Sequence, residues 1–256
     1  MPSVSVHKFM PGGHGCYLWV TLRSSDLTAV FNGFLPNGAL PVKENAHVNQ
    51  SAPIYLSPGD FIAKGSHKKC FQHPHDPARC IKIPYNAPGE TDLHREVHYL
   101  TRVLKQRAAQ SGILPKYHGK VQTNLGEGHV FDLIRDFDGE ISRSLAHALA
   151  SESLLQTRFY GLKNALVALR ESMFKYQIIS MAIYPENILL QRLNPYDFKL
   201  MYINDMGSGA FLPLEYYIPA AAHAKVKRRW NRFIRSLLRQ YEHPAAAELM
   251  RDISFM

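Results

Sequence analysis

A Pro-Glu-Asn turn set directly against an apolar strand constrains this chain more than any other feature. Residues 180–191 read S-M-A-I-Y-P-E-N-I-L-L-Q, so Pro185, Glu186 and Asn187 lead into the apolar run 188–190. A second strand is expected over residues 198–203, and the turn N-D-M-G follows at 204–207. Asn187 and Asp205 thus flank a pair of strands and offer the oxygen ligands that a hard cation such as Mg²⁺ takes. Five residues before Asn187 stands Ala182, whose methyl group neither accepts a proton nor orients a hydroxyl.

Upstream of this unit the pattern is that of a strand-rich lobe with one helix. Short strands are expected at residues 61–63, 69–72 and 79–83, with His73-Pro74-His75-Asp76-Pro77 turning the chain between the second and third. Leu93, Val97, Leu100 and Leu104 recur at helical intervals, which predicts a helix over residues 90–107 capped by Thr91 or Asp92. Strands at 117–122 and 129–134 follow, joined through residues 124–128. Beyond them an apolar periodicity through Phe159, Leu162, Leu166, Leu169 and Met173 predicts a helix over 153–178. A basic amphipathic helix is expected at about 220–241. The fold class is therefore α+β in two lobes. Residues 1–56, rich in Pro, Gly, Asn and Ser, are expected to form a poorly ordered extension, 57–139 the strand-rich lobe and 140–256 the helical lobe.

A chain of 256 residues, 46% hydrophobic and 20% charged, is long enough and apolar enough to bury a sizeable core. No run approaches the ~18 uninterrupted apolar residues of a membrane-spanning helix. Residues 1–15 lack the basic-then-apolar build of a secretory leader, and Cys16, Cys70 and Cys80 are too few for a disulfide scaffold. A cytoplasmic location is expected. The formal net charge of +9 points to anionic company: nucleotide phosphates, nucleic acid or an anionic membrane face.

The order of the chemistry-bearing residues resembles that of protein kinases. In kinases the catalytic loop runs from a general-base aspartate to a magnesium-binding asparagine five residues on, and a later D-x-G supplies another metal ligand. Asn187 and Asp205 stand at those metal positions, and Ala182 stands at the position of the base. A Gly-rich turn between two strands covers the nucleotide phosphates, because backbone N–H groups must approach the anion closely. K-G-S-H-K-K-C-F at 64–71 lies at that place, with Gly65 at the middle glycine of G-x-G-x-x-G and Ala63 and Lys68 at the outer two. Gly65 and Ser66 are the expected phosphate lid, with His67, Lys68 and Lys69 as further donors; a plain hairpin turn is the competing reading. Lys82, inside C-I-K-I at 80–83, is expected to hold the α- and β-phosphates while Glu96 orients it. Its competing reading is a lysine pointing outward from an edge strand, which avoids burying an unpaired ammonium. The ligands implied are ATP and Mg²⁺.

Five segments narrow the resemblance: K-G-S-H-K-K-C-F-Q-H-P-H-D-P-A-R-C-I-K-I (64–83), L-P-K-Y-H-G-K-V-Q-T (114–123), G-H-V-F-D-L-I-R-D-F-D-G (128–139), P-E-N-I-L (185–189) and N-D-M-G (204–207). Together they resemble the PhoP regulatory network protein YrbL family, a bacterial branch of the protein-kinase-like fold, over about 70% of the chain. The resemblance implies a two-lobed kinase-like fold with a small strand-rich lobe and a shortened helical lobe. It also implies a cytoplasmic protein linked to the PhoP response.

Two replacements set the chain apart from active kinases. Residues 180–182 are S-M-A in place of His-Arg-Asp, and Tyr184 replaces the lysine that touches the transferred phosphate. About 50 residues follow Gly207, short for a peptide-substrate platform, so a small-molecule substrate or none is expected. Glu186, Asp132, Asp136 and Asp138 are the carboxylates available as a replacement base. Positioning and electrostatics supply most of the rate in phosphoryl transfer, so loss of the base need not abolish it. The function expected first is an atypical phosphotransferase acting on a small molecule or unusual target. The alternative is a nucleotide-responsive pseudokinase that switches a protein partner without catalysis. A basic nucleic-acid-binding regulator is a third reading, kept open but not favoured.

Other signals are weaker. In K-V-K-R-R-W-N-R-F-I-R-S-L-L-R (225–239), Trp230, Phe233, Ile234, Leu237 and Leu238 make one face, and Arg228, Arg229, Arg232, Arg235 and Arg239 lie mainly around the other. A core-packed helix with a solvated basic face is expected ahead of a nucleic-acid or membrane surface. Cys70-x2-His73-x-His75-x4-Cys80 is irregularly spaced for zinc, and its Cys–His pairs lack the oxyanion hole and third group of a thiol protease; both are set aside.

Overall fold

Five strands alternating inward and outward side chains form an antiparallel sheet in the first half of the described chain. A computed structural model describes residues 52–241 and 244–253; most of the expected extension, residues 1–51, lies outside them. The strands are β1 (Phe61–Lys64), β2 (Lys68–His73), β3 (Asp76–Pro84), β4 (Tyr117–Thr123) and β5 (Gly126–Asp132), in the spatial order β1-β2-β3-β5-β4. The central strand β3 is covered on both faces. Ile81 and Ile83 pack with Leu56, Phe71 and Val130, while Cys80 joins Leu93 and Phe131 in the main core. Burial on both faces explains the unbroken apolar run around Lys82. It also removes the edge-strand reading of that lysine.

The lobe begins ahead of the expected boundary at residue 57. Ile54 bridges to Thr123, and the Leu56 N–H donates to Asn124 Oδ1 at 2.8 Å while its carbonyl accepts from Asn124 Nδ2 at 3.1 Å. Asn124 and Leu125 also make a tight two-residue turn, so β5 starts at Gly126 rather than at residue 129. Gly126 has a φ of 111°, a conformation that side-chain-bearing residues avoid.

The helix after β3, α1 (Ala87–His98), is capped by Asn86, whose Oδ1 accepts from the Gly89 N–H at 2.9 Å. The cap expected at Thr91 or Asp92 is thereby corrected. Asp92 instead binds His67 Nδ1 at 2.9 Å and Arg95 at 2.7 Å, tying the helix to the β1–β2 turn. The chain continues as a π-helical stretch, Tyr99–Leu104, and breaks at Lys105 (φ 51°) before α2 (Gln106–Ser111). The wider coil keeps Tyr99, Leu100 and Leu104 buried.

The second lobe sets a three-stranded sheet against helices. Its strands are β6 (Arg143–Ser144), β7 (Ile188–Arg192) and β8 (Phe198–Tyr202), in the order β6-β7-β8. The helices are α3 (Leu145–Leu149), α4 (Glu152–Lys175), α5 (Pro219–Gln240) and α6 (Pro244–Asp252). Leu162, Leu166, Leu169 and Met173 of α4 share a core with Trp230, Phe233, Ile234 and Leu237 of α5. The Trp230 indole N–H donates to the Ile253 carbonyl at 2.8 Å. Leu238, expected on this face, is exposed with Arg228, Arg232, Arg235 and Arg239, so α5 is a core-packed helix with a solvated basic side. Among the described residues no helix is long and apolar enough to cross a membrane.

Gly89 joins the two parts of the strand-rich lobe by close approach. A Cβ there would lie 2.3 Å from the His67 carbonyl oxygen, which belongs to backbone and cannot step aside cheaply. Gly89→Ala is expected to lower unfolding free energy by about 1–3 kcal/mol, measured by urea denaturation. A loss under about 0.5 kcal/mol would mean that the turn yields freely.

Candidate functional site between Lys82 and Asp205

Strand register puts Lys82 opposite Cys70 on one side and His129 on the other, on the sheet face that α1 covers. Its ammonium donates to Glu96 Oε1 at 3.0 Å and to the Ile203 carbonyl at 2.6 Å, and lies 4.3 Å from the centroid of the Phe131 ring. Glu96 is 1% exposed. Its other oxygen accepts from Lys68 at 3.2 Å, and Lys68 also donates to Asn204 Oδ1. One buried carboxylate is therefore held between two ammoniums. Burial is the largest single influence and pulls the Lys82 pKa down, but the charge and hydrogen bond of Glu96, with Cys80 and Cys70, together outweigh it and leave the value above the ordinary one. Burial likewise pushes Glu96 up, and Lys82 with Lys68 brings it below its ordinary value.

Lys68 is the residue whose full role the sequence pattern did not disclose. It stands where a kinase lid carries its third glycine, and it reaches inward to Glu96 rather than out toward solvent. The signal was the β2–β3 register. With Cys70 opposite Lys82 and Lys68 opposite Pro84, Lys68 shares a face with Lys82.

Across the site, Asn187 and Asp205 meet directly. Asn187 closes the single turn Pro185–Asn187 ahead of β7, and Asp205 follows β8, so pairing of β7 with β8 brings both to one end of the hairpin. Asn187 Nδ2 donates to Asp205 Oδ2 at 2.7 Å. Asp205 has a φ of 61°, an uncommon conformation for a residue with a side chain. Burial raises its carboxyl pKa above the ordinary value; Lys68 opposes that rise, and Glu96 and Asp92 add to it. Gly207 is required by geometry: its φ is 96°, and a Cβ would lie 3.0 Å from the Tyr216 hydroxyl.

Ala182 lies in the same loop, which is braced without an aspartate. The Ser180 and Tyr202 hydroxyls bond to each other, and both oxygens lie 2.9 Å from the Ala182 carbonyl oxygen, to which whichever hydroxyl keeps its proton free donates. The Met181 N–H donates to the Asp205 carbonyl at 3.0 Å, joining this loop to the D-x-G turn. Three of the carboxylates considered as replacement bases are committed elsewhere. Asp136 accepts from Ser142 Oγ at 2.5 Å and Arg192 Nε at 2.6 Å, and Asp138 also pairs with Arg192. Asp132 accepts from the Lys116 N–H at 2.9 Å and contacts His118 Nε2 at 2.6 Å. Glu186 is exposed on its turn.

The turn carrying Gly65 and Ser66 joins β1 to β2. The Gly65 N–H closes the turn on the Lys68 carbonyl at 2.9 Å, and the Tyr85 hydroxyl bonds the Gly65 and Ser66 carbonyls. Nothing but the Lys68 carbonyl, at 3.7 Å, lies near a Cβ placed on Gly65, so the turn leaves space on that side. A strand-borne lysine paired with a helix glutamate, followed in order by a loop asparagine and a D-x-G aspartate, is the protein-kinase arrangement. The fold is kinase-like on this topology and these contacts.

Glu96 offers a direct test of the charge cluster. Its pKa is lower folded than unfolded, so its stabilisation is present above the unfolded carboxylate value and is lost as pH falls through the folded one. Glu96→Gln leaves two ammoniums without their counter-charge and is expected to cost about 3–5 kcal/mol at neutral pH. The gap to wild type should narrow as pH drops below about 4.3, read from denaturant midpoints. A gap that does not change with pH would remove the ion pair from the account.

Comparison with known proteins agrees with this arrangement in sequence more than in superposition. The sequence profile described as PhoP regulatory network protein YrbL matches residues 54–238. Chains described as "Uncharacterized protein YrbL" from Escherichia coli (strain K12) and Shigella flexneri are each 33% identical over 183 residues, covering 71% of this chain and 86% of theirs. A crystal structure of the kinase domain of PF14_0431 shares 15% identity, covers 61% of this chain and 50% of its own, and superposes with a TM-score of 0.35, too low to carry an argument. With a profile match that spans the strand-rich lobe, Asn187, Asp205 and most of α5, and two relatives matched over most of their length, this chain belongs to the PhoP regulatory network protein YrbL family.

Proposed function

We propose that the chain binds ATP with Mg²⁺ at the site formed by Lys68, Lys82, Asn187 and Asp205 and acts as a nucleotide-responsive regulator in the cytoplasm. The observation that carries this reading is the convergence of two charge sets. Lys82 and Lys68 are held by Glu96 on one side, and the Asn187–Asp205 pair faces them from the other. The donor set fits the ligands. Asp205 is a carboxylate disfavoured by burial and by two acidic neighbours, so a cation beside it would be relieving, and an amide oxygen from Asn187 is adjacent. Bound Mg²⁺ would neutralise phosphate charge. The phosphates would take the place of the Ile203 carbonyl and the Asn204 amide as partners of the two lysines. Gly65 and Ser66 would cover them.

The regulatory reading stands ahead of the phosphotransferase reading because of Ala182. The position of the base has no proton acceptor, and Asp132, Asp136 and Asp138 are held by other partners. The family's description ties its members to the PhoP regulatory network, which makes a partner in that response, protein or small molecule, the natural object of the switch. One observation favours slow phosphotransfer as the second reading: the Lys82–Glu96 pair is intact, and positioning with electrostatics supplies most of the rate in this chemistry.

ATP at about 100 times its dissociation constant should add about 2.7 kcal/mol of stability, read as a thermal shift that depends on Mg²⁺. Lys82→Ala is expected to remove the shift, and Asp205→Asn to remove its Mg²⁺ dependence. A shift that survives Lys82→Ala unchanged would move the ligand elsewhere. Turnover of ATP that Lys82→Ala abolishes would promote the second reading over the first.

A further inference from the structure

We infer that His94, Glu127 and His129 form a binding site for a divalent transition metal of the Zn²⁺ class, bridging α1 to β5 beside the Lys82–Glu96 pair. Their ligand atoms all lie within 4.8 Å of one another, the one such His/Cys/Asp/Glu group among the described residues. It does not include Cys70, His73, His75 or Cys80, the zinc pattern set aside on spacing. Glu127 and His129 are two residues apart on β5 and so share a face of the sheet. His94 comes from α1, two residues before Glu96. The site therefore joins two elements that are far apart in sequence.

The buried member is built like a ligand. His129 is 2% exposed, and its Nδ1 lies 3.2 Å from the Tyr117 hydroxyl, with the two rings stacked at 5.8 Å. That contact fixes the ring and turns Nε2 toward Glu127, whose Oε1 is 3.7 Å away. A ligating imidazole held through its other nitrogen is the arrangement that orients metal sites. The His94 and His129 ring centroids are 6.1 Å apart.

Two imidazoles and one carboxylate make a three-ligand set that leaves a fourth position for water, as Zn²⁺ accepts, whereas Mg²⁺ prefers oxygen ligands. Bonds of about 2.0–2.1 Å require the ligand atoms to close by roughly an ångström. His94 and Glu127 are both exposed and free to make that movement. Lys120, now 2.7 Å from Glu127 Oε1, would give up its partner to the ion. Because His129 is paired across the strands with Lys82 and His94 precedes Glu96, a bound ion would pin α1 to the sheet where the Lys82–Glu96 pair forms. The inference does not depend on nucleotide binding.

The test is titration of the metal-stripped full chain with Zn²⁺ against a chromophoric chelator, repeated with Co²⁺ to read the visible bands of four-coordinate cobalt. One ion per chain is expected, unaffected by excess Mg²⁺ and lost in His94→Ala and in Glu127→Gln. Both substitutions fall on exposed side chains, and melts without metal would establish that the variants fold. Tyr117→Phe keeps all three ligands and should weaken binding by about 10- to 100-fold. Zinc bound with the same affinity in His94→Ala and Glu127→Gln would place the ion on other histidines or cysteines and overturn the inference. An absence of binding at micromolar Zn²⁺ would do the same.

Discussion

The carboxylate of Glu96, buried between two ammoniums, is the contact on which the geometry of the candidate site depends. Three elements meet on it: β3 through Lys82, the start of β2 through Lys68, and α1, which carries the glutamate. Both lysines also reach the 203–204 segment, so the same cluster holds the turn that presents Asp205. None of these charges is stable in a buried setting alone, since desolvation of an unpaired ion costs several kcal/mol. Each therefore fixes the position of the others. A shift of α1 would separate the pair and release the D-x-G turn together.

Asp205 differs from that satisfied cluster. Its backbone has a positive φ, its carboxyl pKa is raised by burial and by acidic neighbours, and its carboxylate accepts from Asn187 Nδ2. Strain and an unfavourable charge at one residue are features that structures retain at working sites. The neighbouring loop is the reverse case. Ser180 and Tyr202 hold the Ala182 carbonyl, so the loop keeps its shape although the aspartate of kinases is absent. Shape and chemistry have separated there.

Particular residues show how far the sequence could be read. Lys82 and Glu96, and Asn187 and Asp205, were legible because each sits in a run whose local pattern sets its element: an apolar strand, a helical period, a turn ahead of a strand, a turn after one. The cap at Asn86 was missed because Thr91 and Asp92 are equally good cap residues, and only the bond to the Gly89 N–H distinguishes the choice. The single helix read over residues 90–107 breaks at Lys105 because its periodicity does not register a widened coil. Lys68 was legible as a donor near phosphate but not as the second partner of Glu96. His94 carries no spacing signal toward Glu127 and His129, since the π-helical stretch, α2 and β4 lie between its helix and their strand.

The sequence by itself determined the order of a strand-rich part before a helical one, the α+β class and the residue pairs Lys82–Glu96 and Asn187–Asp205. Those follow from hydrophobic period and turn chemistry, which are local. Tertiary structure decided which lysines share Glu96, where the acids of residues 132–138 are bound, and that two histidines and a glutamate converge beside them. These depend on strand register and on how a helix lies across a sheet, and a one-residue slip in register would send each side chain to the opposite face.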